Sequence, residues 1–229
     1  MAYISFEPKD YFVTKLYTGN NRTAQTITGL DFQPDFTWIK CRTAGEDHAL
    51  TDAVRGVNSQ LKTNSTNAPT TLTTIITAFT SDGYSLGVAD TVNNNGGTYV
   101  SWNWKFNGAG ATNEAGSINT TKTSAETTSG CSVITYTGNG SSGATIGHGM
   151  GIKPSMIIIK ELNGGNDWIV YTQALTANKI LYLNTTGGEN DNSVFFNDVE
   201  PTTSLITLGS IGATNGNGVA MIAYCFSNV

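Results

Sequence analysis

The sequence predicts an all-β protein: two tandem, duplicated β-sandwich domains of jelly-roll type joined by a Gly/Ser/Thr-rich linker. Composition is the first reason. Only 13% of the 229 residues are charged, against about a quarter in an ordinary globular domain. Thr, Asn and Gly supply roughly a third of the chain or more, far above ordinary usage. Thr suits a pleated, half-buried surface, while Asn and Gly make turns. The second reason is an internal repeat at an offset near 120 residues. The third is a succession of short apolar or alternating runs punctuated by Asp82-Gly83, Asn95-Gly96, Asn139-Gly140 and Asn215-Gly216, which are turn signals.

The elements follow in chain order. Residues 1–14 form an arm whose Tyr3, Phe6, Tyr11 and Phe12 are too aromatic for a solvated tail. These four are the candidate docking set for a neighbouring subunit, with a core strand of the arm's own domain as the competing reading. The first sandwich spans 15–108. It opens with Tyr17-Thr-Gly-Asn20 and continues through Phe32-Gln-Pro34-Asp-Phe-Thr-Trp-Ile-Lys40, a strand that starts just after a proline. Leu50, Ala53, Val54 and Val57 have helical spacing, yet the matching Trp168-Ile-Val-Tyr171 reads as extended, so a strand is expected. The closing strand alternates with period two. Val100, Trp102, Trp104 and Phe106 read as its core face and Ser101, Asn103 and Lys105 as its solvent face.

Residues 109–130 are rich in Gly, Ser, Thr and Ala and read as a loop or linker, with room for one edge strand near Ile118. The second sandwich spans 131–229 and repeats the first. Tyr136-Thr-Gly-Asn139 matches Tyr17-Thr-Gly-Asn20, and Ile152-Lys-Pro154 to Lys160 matches Phe32 to Lys40. Leu181-Tyr-Leu-Asn184 matches Leu61-Lys-Thr-Asn64, Leu208-Gly209 matches Leu86-Gly87, and Val219 to Phe226 matches Tyr99 to Phe106. In this last strand Ala220, Ile222, Tyr224 and Phe226 are expected inward, with Met221, Ala223 and Cys225 covered on the opposite side.

Charge and apolar runs exclude several partners. The net charge is −5 and the 12 Lys and Arg are scattered, so no nucleic acid is expected. The apolar run at Met156-Ile-Ile-Ile159 is far short of the ~20 residues of a membrane span, so no membrane insertion is expected. The N-terminal residues lack the pattern of a secretion signal. Cys41, Cys131 and Cys225 are odd in number and far apart, as in a chain made in a reducing cytoplasm with thiols used as small apolar side chains.

Catalytic chemistry finds little to use. The two histidines, His48 and His148, do not correspond in the repeat, and both read as surface or turn residues. No nucleophile elbow accompanies them, so no catalytic residue and no enzyme activity is expected. No close Cys or His pair offers a zinc site, and Glu189-Asn-Asp-Asn192 with Asp198 and Glu200 reads as solvated acids in preference to a calcium loop. No metal and no cofactor is expected. Asp198 and Glu200 have the i, i+2 spacing that suits a glycosidase pair, but Pro201 follows and the first copy has no equivalent pair. Trp38, Trp102, Trp104 and Trp168 would stack on sugars if exposed, but core positions are the expectation for all four.

The ordered set Tyr17-Thr-Gly-Asn, Ile27-Thr-Gly29, Phe32 to Lys40 with Arg42, Asp52-Ala-Val-Arg-Gly56, Phe79-Thr-Ser-Asp-Gly-Tyr-Ser-Leu-Gly87 and Tyr99-Val-Ser-Trp-Asn-Trp104 resembles a known module. It is similar to a repeat common in structural proteins of tailed bacteriophages, especially those of aquatic bacteria, labelled tail fibre, head fibre or concanavalin-A-like lectin domain. The second half resembles the module's usual partner through Tyr136 to Gly140, Ile146-Gly-His-Gly149 and Lys153 to Lys160. The resemblance runs from about Phe6 to Val229 and implies a lectin-like sandwich more firmly than sugar binding. It implies a virion-surface structural protein, a capsid decoration or short head or tail fibre that docks on other capsid or tail subunits. A homo-oligomer is expected, a trimer being the first candidate. The alternative is a receptor-binding lectin that recognises host-surface glycan. Exposed, paired aromatics beside Asn and Asp in one cleft would favour the lectin; burial of the tryptophans would weaken it.

Overall fold

A computed structural model describes residues 6–22 and 25–229. The protein is all-β, built of several antiparallel sheets, with two one-turn α-helices and a 3-10 turn at Pro8–Asp10 among the described residues. It divides into two compact units, Met1–Asn64 with Pro69–Ala109, and Ser65–Ala68 with Gly110–Val229. Tyr3 lies outside the described residues.

Unit 1 contains β1 (Phe12–Thr18), β2 (Gln25–Ile27), β3 (Phe36–Cys41), β4 (Ala49–Asp52), β5 (Ser59–Gln60), β6 (Thr70–Thr71), β7 (Ile76–Thr80), β8 (Gly83–Leu86), α1 (Asp90–Asn93) and β9 (Thr98–Trp104). One sheet has the order β1-β9-β3-β4, another β2-β8-β7, and β5 pairs with β6. Ile39, Cys41, Ala49 and Tyr99 of the first sheet share a core with Ile27, Ile76, Tyr84 and Leu86 of the second. Of the strand expected over Leu50, Ala53, Val54 and Val57, only Leu50 lies in a strand, β4; the other three lie in turns that follow it. Its end is fixed by Asp52, whose carboxylate accepts the backbone N–H of Arg55 at 2.8 Å and its guanidinium at 2.7 Å. The Asp82-Gly83 signal is the β7–β8 hairpin turn. At Gly87 a Cβ would collide with the backbone of Thr74, which accounts for the glycine after Leu86.

The closing strand corrects the face expectation. In β9 the buried side is Tyr99, Ser101 and Asn103; Val100, Trp102 and Trp104 are half-buried on the outer side. The Ser101 hydroxyl and the Asn103 amide nitrogen find partners inside. Ser101 Oγ accepts from Tyr84 OH at 2.7 Å and from Asn103 Nδ2 at 2.9 Å, and Asn103 Nδ2 also donates to Val13 O at 3.0 Å.

Unit 2 contains β10 (Lys122–Glu126), β11 (Cys131–Thr137), β12 (Ala144–Gly147), β13 (Met156–Glu161), β14 (Ile169–Thr172), β15 (Lys179–Tyr182), β16 (Asn190–Asp191), β17 (Leu205–Leu208), α2 (Gly212–Asn215) and β18 (Ala220–Phe226). The main sheet runs β10-β11-β18-β13-β14-β15-β16, and β12 pairs with β17. β18 is covered on both faces as expected. The main core, however, takes Met221, Ala223 and Cys225, the side opposite to the expected one. The segment expected as a linker is folded instead. β10 pairs along β11, Ala111 bridges Thr123, and Ile118 is buried beside Ile146. One apolar side chain and a run of strand-favouring Ser and Thr are enough to fix it against an otherwise unpaired edge.

Candidate aromatic binding groove

The outer face of the β1-β9-β3-β4 sheet carries the most distinctive surface of unit 1. Strand register places Phe12, Trp104 and Phe36 in one cross-strand row and Thr14, Trp102, Trp38 and Leu50 in the next. Leu16, Val100 and Lys40 form the third. Phe12, Trp38, His48, Trp102 and Trp104 line an open groove of about 260 Å³. Its rings brace one another edge to face. Trp38 and Trp102 centroids are 5.9 Å apart at 65°, and Trp104 lies 4.9 Å from buried Phe36 at 83°. Phe12 tilts against Trp104 at 4.6 Å. Such packing holds the rings rigid while leaving apolar faces open. The expectation of core positions fails for Trp38, Trp102 and Trp104 and holds for Trp168, which is 0% exposed, stacks on Tyr224 and donates its Nε1–H to Ser65 O.

His48 belongs to the groove and is not a plain surface residue. Its Nδ1 accepts the Trp38 indole N–H at 2.9 Å, which leaves the proton of the neutral ring on Nε2. Burial first, then the Lys40 ammonium, depresses the imidazole below its ordinary value, against the opposing pull of Asp47. Its backbone N–H donates to Asn64 Oδ1, and Asn64 Nδ2 donates to Asp47 Oδ1 at 2.8 Å. Lys62 pairs with the other oxygen of Asp47 at 2.7 Å and holds that carboxyl low, with Asn64 adding to the effect. The groove thus joins aromatic faces to a neutral imidazole, with an Asp–Asn–Lys cluster beside it.

The other sequence candidates lie elsewhere. Phe12 is a groove residue. Tyr11 packs edge-on with Phe6 at 5.2 Å and lies under the Lys105 ammonium at 5.4 Å. His148 is not a surface residue either: it is 0% exposed, with Nδ1 accepting from Met150 N–H and Nε2 facing Thr202 O, each at 3.3 Å. The glycine-rich turn folds its ring inward, where it bonds two backbone groups. Glu189, Asp191 and Glu200 are engaged separately. Glu189 pairs with Lys179, Asp191 accepts from Asn178, and Glu200 binds Lys153 and Tyr171. Among the described residues no three His, Cys, Asp or Glu gather as a metal site would require.

Sequence reading missed two buried asparagines. Asn93 Oδ1 accepts Asn20 N–H, and its Nδ2 donates to Gly87 O and Arg22 O. Asn215 Oδ1 accepts Asn139 N–H, and its Nδ2 donates to Gly209 O and Ser141 O. The available signal was their equal spacing after Leu86-Gly87 and Leu208-Gly209.

A family described as a domain of unknown function (DUF7483) matches residues 7–229. No curated protein and no solved structure matches the chain.

Proposed function

We propose that this chain, which belongs to the DUF7483 family, is a non-enzymatic binding protein of a bacteriophage virion surface whose aromatic groove takes host-surface glycan. The observation that carries this reading is the presentation of Trp38, Trp102 and Trp104 on an open sheet face beside His48, Asn64 and Asp47. A pyranose turns a face of C–H groups toward the electron-rich face of an aromatic ring, and its hydroxyls need donors and acceptors at the edge. The groove supplies both.

The reading includes two tandem, duplicated sandwiches. In its support, β1-β9-β3-β4 and β11-β18-β13-β14 have the same antiparallel order. Tyr17 and Tyr136 each donate to the last helical turn, at Val92 O and Thr214 O. The Asn64–Asp47 bond has its counterpart in Asn184–Asp167. Register matches Trp104 to Phe226, opposite Phe36 and Met156, two residues along from the correspondence drawn for the closing strands in the sequence.

A second reading keeps the virion location and makes the same surface a contact with capsid or tail subunits in a homo-oligomeric decoration or short fibre. Leu16, 65% exposed beside the groove, favours it. A glycan array followed by calorimetric titration separates the two. The wild-type chain is expected to bind a glycan and Trp102→Ala to bind it at least about tenfold more weakly, a loss of ~1.4 kcal/mol, the size of one aromatic contact. No glycan bound, together with gold-labelled antibody on the capsid, would leave the docking reading standing alone.

A further inference from the structure

Beneath the groove, on the inner face of the same sheet, runs a row of polar side chains. Register sets Asn103 beside Thr37 and Thr37 beside Thr51. The Leu50–Leu61 bridge brings Gln60 next to Thr51. Thr37, Thr51 and Asn103 are 0% exposed and Gln60 is 3% exposed. Asn103 Oδ1, Thr37 Oγ1, Thr51 Oγ1 and Gln60 Nε2 each lack a hydrogen-bond partner among the protein's own atoms. Reversing the Asn103 amide does not help, because it would lose the bond to Val13 O and set Oδ1 against that carbonyl.

The corresponding row of unit 2 shows what this position holds when it is ordinary core. There the neighbours are Cys225, Ile157 and Tyr171, with Ile180 beyond, all in the apolar cluster. Four adjacent polar residues in unit 1 are therefore a departure from the core chemistry of that row. Buried polar groups left unbonded cost enough that natural proteins rarely keep one, let alone a contiguous set.

We propose that this row is a buried hydration site, in which ordered water bridges Asn103, Thr37, Thr51 and Gln60 under the aromatic groove. The mixture of groups selects the ligand. Asn103 Oδ1 can only accept, the two hydroxyls do either, and the Gln60 amide offers its N–H or, turned over, its oxygen. None of the four carries a charge to balance that of an ion; water is neutral, donates and accepts, and is stable in a buried site with two to four polar partners. The proposal is independent of what the groove binds.

Two measurements on the full chain test it. A high-resolution crystal structure is expected to show water within hydrogen-bond distance of at least two of the four atoms. Contacts of metal-ligand length, or no density there, would overturn the proposal. Thermal melts of Thr37→Val and Thr51→Val supply the sign. If water joins the row, each loss of a hydroxyl strands its neighbours and lowers Tm by about 4–8 °C for a domain of this size. If the hydroxyls are simply orphaned, valine of the same shape relieves them, and an unchanged or higher Tm in both variants rejects the site.

Discussion

Replacing Asn93 with alanine removes three hydrogen bonds at once. Its Oδ1 accepts Asn20 N–H at 2.8 Å, and its Nδ2 donates to Gly87 O at 2.8 Å and Arg22 O at 3.0 Å. The side chain is fully buried. Arg22 is exposed, so water can replace the bond to its carbonyl, whereas Gly87 is buried. At ~1 kcal/mol per bond, with a further penalty for a stranded buried group, the loss is about 3 kcal/mol. A urea slope of ~1.5–2 kcal/mol per molar for a unit of this size converts that to a midpoint lowered by about 1.5–2 M. Tryptophan fluorescence follows mainly the right half of the molecule, since Trp38, Trp102 and Trp104 lie in unit 1 and Trp168 in unit 2. Asn93→Asp is the control: it keeps the shape and the acceptor, loses both donors, and sets a carboxylate against two carbonyls. It should fall at least as far as alanine. Midpoint shifts under about 0.5 M in both variants would refute the reasoning, and a fall in alanine alone would assign the effect to lost volume.

Two further outcomes are expected. Burial depresses both His48 and His148 below their unfolded value of 6.5. Below that value the unfolded chain binds more protons, so their contribution to stability is full above 6.5 and is lost as pH falls toward the folded values. Melts should therefore be flat from pH 8 to 7 and decline toward pH 5, and a Tm that rises on acidification over this range would contradict both placements. Native thiol labelling should separate the cysteines by peptide mass spectrometry. Burial raises Cys131 to about 11 and Cys225 to about 12. For Cys41 burial also raises the thiol, but hydrogen bonds involving Thr43 and Ala44 outweigh it and the net shift is downward. Cys41 should react first, and equal labelling of Cys225 in the folded chain would count against this ordering.

The strands were legible because their period is simple. Alternation in Tyr99 to Trp104 revealed a strand whichever side faced solvent. What it could not reveal was the side, because hydrophobicity alone assigns Trp102 and Trp104 inward. The structure reverses them because Tyr84 OH and the Val13 carbonyl give Ser101 and Asn103 partners inside. The groove was accordingly visible as residues but not as a surface. His48 was readable only as a turn residue, since its bond to Trp38 depends on β3 passing beside the chain that leads into β4. The folded segment before β11 was obscured by composition: Ser and Thr serve linkers and edge strands equally, and only the free edge of β11 decides between them.

The two interior rows contribute to heat capacity with opposite signs. Unfolding unit 2 wets Ile157, Tyr171 and Ile180, and apolar hydration raises the heat capacity of the unfolded chain. Unfolding unit 1 wets Thr37, Thr51, Asn103 and Gln60, and polar hydration lowers it. The polar row therefore flattens the temperature dependence of stability that the rest of unit 1 sets, and the apolar row sharpens that of unit 2. Chilling weakens what the apolar row contributes and takes no such toll on the polar one.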